Sequence, residues 1–504
     1  MPAVSTQLRS QGHCFTFHHL SNNRGGKNTL GCLGGCCIFG TQRLAACAMD
    51  QQPILLSVEE IALKLKEAAQ FIGQRVVNRD EVIEQAFCAL LTGEHMLLQS
   101  RTGVGKTLLA EQIFAMFEGA RVFRIQASKE QQPDSYFGGL DLELLKRGIL
   151  KHNTEGSLVE SEFGFIDEIF DANDFTLRAL LSLLNERRLL RGTHHQPARI
   201  HTVIAATNYL RVSEVTEAIL DRFLYKALIL PDKDPYVQFK IAQKYLLHGG
   251  KPAQPPRTIP FAELKYMHTI ITGNNPTITI TIRPEDLYFA NLVIAHFEHL
   301  RNRALRESNR GRKADDYREF YISPRTQAKS LDLLRALALL RARTSVTHED
   351  ISKLYFIFAT VGVPEEIALF KKSFETIENS LTSSNGFEQI ATLLAFETLL
   401  QHIRHDRSIL EQPLGELATT PIRRTFIEWF KETFGGVDKT VAHNRRQLEQ
   451  FITDFVPATE EVRELKLAVE RLMTRVFQEI ERDQAREAER RLRRQEQYTS
   501  QQEP

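Results

Sequence analysis

The chain has 504 residues, 42% hydrophobic and 25% charged, an ordinary globular composition with length for more than one domain. Its 64 Lys and Arg against 63 Asp and Glu leave a formal net charge of +1, so no global field points to nucleic acid. No apolar run reaches the roughly 18 residues that a membrane-spanning helix needs. Of its 6 cysteines only Cys88 lies beyond residue 50, which fits a reducing, cytoplasmic setting.

Residues 1–49 stand apart, rich in Gly, Ser, Asn and Cys and with little periodicity. Cys14, His18, His19, Cys32, Cys36 and Cys37 are candidate zinc ligands, although their spacing fits no closed pairwise pattern. Leu44-Ala45-Ala46-Cys47 is similar to a lipid-attachment box, but Gln42 and Arg43 break the apolar run before it. A third reading is a disordered leader, with Met49 as an alternative start.

From Ser57 the pattern turns helical: Ser57 and Glu60 make a capping box ahead of Ile61, Leu63 and Leu65. Ile72-Gly73-Gln74 punctuates, and a second helix over Glu81–Leu91 leads to the apolar strand His95–Gln99. Then comes Ser100-Arg101-Thr102-Gly103-Val104-Gly105-Lys106-Thr107, opening onto a helix. Such a turn aims backbone N–H groups into one concavity, with the positive end of a helix behind it. Thr102, Gly103, Val104 and Gly105 would wrap a phosphate, Lys106 would reach the β- and γ-phosphates, and Thr107 would offer its hydroxyl to Mg²⁺. The P-loop pattern wants Gly where Ser100 stands, and Ser is small enough for the turn.

Val122–Gln126 alternates as a strand. Gly148–Leu150 and Gly156–Val159 read as a β-hairpin around His152–Glu155. Phe163–Ile166 is an apolar strand ending in Asp167-Glu168, which in an open α/β sheet brings both carboxylates to the ligand edge beside Lys106 and Thr107. A helix with Leu177, Leu180, Leu181 and Leu184 on one face follows. Another strand, Arg199–Ala206, ends at Thr207-Asn208, and a short helix precedes Asp221-Arg222-Phe223.

Pro231–Pro235 marks a boundary. The chain beyond is largely helical, with Ser323 and Pro324 starting a helix that carries Ala328, Leu331, Leu334 and Leu337. Residues 365–504 show no catalytic constellation. Their last helix has Val462, Leu465, Val469, Leu472, Val476 and Ile480 in a packing stripe or short coiled coil, then a charged, solvated stretch to Arg494.

Gly103–Thr107, Phe165–Glu168, Ala206–Asn208, Leu220–Phe223 and Ser323–Arg325 stand in an order that resembles AAA+ ATPases. Phe137–Leu140, Asp167–Ile169 and Leu183–Arg187 narrow the resemblance to the MoxR family and its RavA branch. It covers about residues 57–360, departing at Ser100 and in lacking a Pro before Gly103.

This resemblance implies an α/β P-loop core with a parallel sheet and inserted β-hairpin over 50–230, and a helical lid over 231–362. A helical C-terminal region would occupy 363–504. It implies ATP and Mg²⁺ as cofactors. Lys106 and the loop amides would bind phosphates, Thr107 and Asp167 would hold Mg²⁺, and Glu168 would polarise the attacking water that Asn208 aligns. Arg222 would be a finger supplied to a neighbouring subunit, and Arg325 the lid arginine that senses nucleotide. The same family implies a ring, commonly of six subunits, that remodels protein clients beside a von Willebrand A-domain partner. A nucleic-acid motor and a nucleotide-gated scaffold are the alternatives. The balanced charge counts against the first, and Glu168 with Arg222 against the second.

Overall fold

Ser57 caps the first helix, accepting the Glu60 N–H at 3.2 Å while the Glu60 carboxylate accepts the Ser57 N–H at 2.9 Å. The computed structural model describes residues 54, 56–148, 153–191, 194–210, 214–249, 254–308, 319–360, 363–411 and 441–500. The leader at 1–49, with its cysteine and histidine candidates, lies outside the described residues. Helix α1 (Val58–Arg75) buries Ile61, Leu65, Ala68 and Ile72, a stripe at three- and four-residue steps. Helix α2 (Asp80–Thr92) is enclosed from Gln85 to Thr92.

The chain then alternates strand and helix through β1 (Met96–Ser100), α3 (Lys106–Ala115), β2 (Phe117–Glu118) and β3 (Val122–Gln126). Two short helices, α4 (Asp134–Phe137) and α5 (Leu142–Lys146), lead to β4 (Phe163–Asp167) and α6 (Asp174–Glu186). An antiparallel hairpin, β5 (Arg188–Arg191) with β6 (His194–Pro197), precedes β7 (Thr202–Thr207), α7 (Glu214–Arg222) and β8 (Tyr225–Ile229). Five strands form one parallel sheet in the order β3-β4-β7-β1-β8. Phe163–Ile166 and Thr202–Thr207 are apolar or buried throughout because both faces of a parallel sheet are covered. Met96, Leu98, Phe165 and Ile204 face one core with α1, α2 and α3. Leu97, Ile166, Val203 and Ala205 face the other, against Leu177, Leu180 and Leu183 of α6.

Helices complete the chain: α8 (Pro235–His248), a short strand β9 (Ile259–Pro260) paired with β2, α9 (Phe261–Ile271), α10 (Pro284–Ser308), α11 (Pro324–Leu340), α12 (His348–Ile351) and α13 (Tyr355–Phe358). Beyond them lie α14 (Pro364–Ser383), α15 (Gly386–His405), α16 (Val441–Asp454) and α17 (Glu460–Ser500). Of the stripe of α17, Val462, Leu465, Val469, Val476 and Ile480 are buried while Leu472 is half-buried and Met473 and Phe477 turn inward, and the helix packs on α15. Arg404 with Glu479 at 2.8 Å and Arg445 with Glu481 at 2.6 Å flank it. Residues 484–494 are exposed. Among the described residues no helix is long and apolar enough to cross a membrane.

The α/β class with a parallel P-loop sheet is observed, with local differences. The first arm of the expected hairpin falls largely outside the described residues. Its second arm is a 3₁₀ turn over Leu158–Glu160, because the Ser157 hydroxyl accepts the Val159 N–H at 3.2 Å and caps it. The described hairpin is instead β5–β6. Strand β7 begins at Thr202 rather than Arg199, since the N–H groups of Arg199 and His201 donate to the carbonyls of Val159 and Glu162 at 2.8 and 2.7 Å. Helix α6 buries Leu183 in preference to Leu181, and α11 turns Leu333, Leu334 and Leu337 inward and leaves Ala328 exposed.

Candidate functional site

Three neighbouring strands end at one edge of the sheet, and their next residues converge there. After β1 the chain turns through Gly103 and Gly105, each at φ 85°, a left-handed conformation that costs Gly little. A Cβ built on either glycine would meet nothing within 4 Å, so the concave side of the loop is open. Gly105 is the N-cap of α3 and brings no side-chain acceptor, which leaves first-turn N–H groups for an outside acceptor.

Lys106 is 7% exposed, and its ammonium lies 2.5 Å from Asn208 Oδ1 and 3.5 Å from Glu168 Oε1. Thr107 Oγ1 lies 3.4 Å from Asp167 Oδ2. Glu168 sits at φ 51°, a left-handed backbone that carries roughly 1–3 kcal/mol of strain in a non-glycine residue and concentrates at functional sites. Its carboxylate accepts the Asn208 N–H on Oε2 at 3.0 Å and the Asn208 side-chain amide on Oε1.

These groups line a cavity of ≈ 810 Å³. Its opposite wall, which motif reading did not find, is made by Val76 and Val77 between α1 and α2 and by Ile241 and Tyr245 of α8. The wall is tied together by Arg79 with Asp232 at 2.8 Å and by Lys244, whose ammonium donates to the Gly73 carbonyl at 2.8 Å. Partial burial pushes the Lys244 ammonium below its ordinary value. The remaining signal in the sequence was only the break after Gly73 and the Pro235 helix start.

The residues present fit a nucleoside triphosphate with Mg²⁺. An open amide concavity and a near-buried ammonium suit phosphate, the hydroxyl and carboxylate of Thr107 and Asp167 are hard oxygen donors, and an apolar far wall suits a base. Arg222, the last residue of α7, does not line the cavity; it pairs with Asp221, and its Nε is buried without a hydrogen-bond partner. Arg325, near the start of α11, is exposed and also off the cavity. The structure therefore brings Lys106, Thr107, Asp167, Glu168 and Asn208 together, and leaves Arg222 and Arg325 outside the chain's own cavity.

A parallel sheet in this order, with a P-loop after β1, paired carboxylates after β4 and an Asn after β7, defines the AAA+ P-loop fold. Residues 63–254 match a family model described as the MoxR domain in the MoxR-vWA-beta-propeller ternary systems. The chain is 25% identical over 304 residues to the chaperone MoxR1 of Mycobacterium tuberculosis, covering 57% of this chain and 72% of that one. An uncharacterized protein of Methanocaldococcus jannaschii is 25% identical over 305 residues, 60% of this chain and 71% of its own. A crystal structure from Cytophaga hutchinsonii, described as that of an ATPase candidate, superposes with a TM-score of 0.50 at 19% identity, covering 64% of this chain and 95% of that one, a likeness of fold. The chain is thus similar to MoxR-type AAA+ ATPases over its core.

Proposed function

We propose that the protein is an ATP-hydrolysing, MoxR-type remodelling ATPase of the RavA-like branch, working in the cytoplasm as a ring, commonly of six subunits. Its organisation would be a P-loop core over 50–230, a lid over 231–362 and a helical C-terminal region over 363–504. The observation that carries this reading is the convergence of Lys106, Thr107, Asp167, Glu168 and Asn208 at one sheet edge, facing an open amide loop. The loop amides and Lys106 would hold the β- and γ-phosphates, and Thr107 with Asp167 would hold Mg²⁺. Bound Mg²⁺ would neutralise charge on the phosphate oxygens during transfer. Glu168 would accept a hydrogen bond from the attacking water and Asn208 would keep the carboxylate aimed, since phosphoryl transfer needs positioning more than covalent chemistry.

Arg222 would serve a neighbour's cavity, which its place outside its own cavity supports, and Arg325 would be the lid arginine that senses nucleotide. The likeness to the MoxR domain of MoxR-vWA-beta-propeller systems supports a von Willebrand A-domain partner, and that to the chaperone MoxR1 supports protein clients. The test is Mg²⁺-dependent phosphate release from ATP, measured beside equilibrium ATP binding. Glu168→Gln is expected to bind ATP and release no phosphate, whereas Lys106→Ala is expected to lose binding. Glu168→Gln binding as weakly as Lys106→Ala removes the role given to Glu168.

A further inference from the structure

Past the carboxylate–amide pair, the ends of β4 and β7 are joined a second time. The hydroxyl of Tyr209 donates to Asp171 Oδ1 at 2.5 Å. Asp171 closes the 3₁₀ turn that begins at Glu168, and its N–H donates to the Glu168 carbonyl at 2.7 Å. Tyr209 follows Asn208, and its backbone is held in turn by Thr207: the fully buried Thr207 hydroxyl donates to the Tyr209 carbonyl at 2.6 Å and lies 3.3 Å from the Tyr209 N–H. Each partner of the Tyr209–Asp171 bond therefore sits within three residues of a partner of the Asn208–Glu168 contact. Neither side chain of the outer pair lines the cavity.

The inner contact needs such support. Glu168 occupies a left-handed backbone, which persists in a non-glycine residue only where the surroundings over-determine it. The β3–β4 ladder runs on through Asp167, whose carbonyl accepts the Ala127 N–H at 2.8 Å, but the β4–β7 ladder ends with Ile166 opposite Ala205, so on the β7 side no ladder hydrogen bond reaches the turn that carries the carboxylate. A charge-assisted phenol–carboxylate bond across the gap ties the turn to the end of β7 as well, and bonds of this class are about twice as strong as neutral ones.

We infer that Tyr209 and Asp171 are positioning residues, a strut that fixes the turn after β4 against the end of β7 and so holds Glu168 and Asn208 in register for hydrolysis. The inference rests on the reading of Glu168 as the group that polarises water.

The test is steady-state ATP hydrolysis with equilibrium ATP binding and thermal melting on the full chain. Tyr209→Phe keeps the ring and removes one hydroxyl; it is expected to lower kcat about tenfold while KM and ATP affinity change less than about twofold. Asp171→Leu is expected to do the same, the double variant to be no slower than either single, and Asp171→Asn, which keeps an acceptor for the hydroxyl, to recover most of the rate. An unchanged kcat in Tyr209→Phe, or a double variant whose losses multiply, overturns the strut. If Tyr209→Phe melts so low that its rate cannot be read, the Asp171→Asn and Asp171→Leu pair decides: equal rates overturn the inference and a gap of about tenfold supports it. A wild-type chain that releases no phosphate from ATP fails the parent reading instead, and that result is distinct from all of these.

Discussion

Asn208 grips Glu168 from two directions: its backbone N–H donates to one carboxylate oxygen at 3.0 Å and its side-chain amide to the other. The same amide offers its carbonyl oxygen to Lys106 at 2.5 Å, so one residue at the end of β7 reaches both charged groups. The carboxylate is thus aimed by Asn208, with the Lys106 ammonium 3.5 Å from its Oε1 as its charged neighbour.

Asn208→Ala therefore leaves the loop amides and Lys106 to bind nucleotide but frees the Glu168 side chain. Turnover is expected to fall by on the order of 10²–10³, the scale seen when one preorganised polar group is removed from a charge-stabilising site. ATP affinity should change little. Stopped-flow binding beside phosphate release checks this, and a loss confined to affinity refutes it.

Arg222 is expected to act on another subunit's nucleotide. Arg222→Ala should bind ATP nearly normally and hydrolyse it slower by on the order of 10³–10⁵, the contribution of an arginine finger in comparable NTPases. Mixing it with Glu168→Gln subunits should restore partial activity, since an Arg222→Ala subunit with its own Glu168 then receives the neighbour's arginine. Light scattering that confirms mixed rings while activity stays at zero would place the needed arginine in cis.

Two imidazoles set an acid limit on the fold. His95 accepts the Val203 N–H on Nδ1 at 3.0 Å and donates from Nε2 to the Leu184 carbonyl at 3.0 Å, and burial holds it neutral well below the ordinary range. Burial pushes His201 down to about 3. In both, the folded value lies below the unfolded one of about 6.5, so folding favours the neutral ring. The stability they confer is complete above about pH 6.5 and is lost as pH falls below it, at about 1.4 kcal/mol per pH unit for each ring. Melting temperature followed from pH 8 to pH 5 should fall accordingly. His201→Phe should be less stable at pH 8, having lost its bond to the Leu90 carbonyl, yet show a shallower fall with acid.

How much of this was legible in the chain follows from distance along it. Lys106 and Thr107, or Asp167 and Glu168, are adjacent residues placed directly after apolar strands, so periodicity and strand-end chemistry marked them. The far wall of the cavity was not marked, because Asn78 reaches Asp232 and Lys244 reaches Gly73 across more than 150 residues, with no local pattern at either end. The turn at Leu158–Glu160 reads as a strand in sequence because Leu158 and Val159 are apolar for burial, and Ser157 decides their geometry through one cap. Arg187 shows the same limit: the sequence marks it as part of Leu183–Arg187 but not its geometry, φ 53° and half-buried, with its guanidinium on the Gly93 carbonyl. The Tyr209–Asp171 bond joins residues 38 apart that carry no motif.

The strand order has a consequence for how the molecule comes into being. β1 is the first strand of the main sheet to leave the ribosome, yet its two neighbours in the sheet, β7 and β8, are made from residues 202–207 and 225–229. At about 5–20 residues per second, the apolar strand that ends at the P-loop waits on the order of 10 s with both edges uncovered. During that interval the nascent chain has its glycine loop but neither Asn208 nor a lined cavity. The cavity is thereby incomplete until the chain is nearly half made, and the same interval is when the strand edge most needs shielding from other chains.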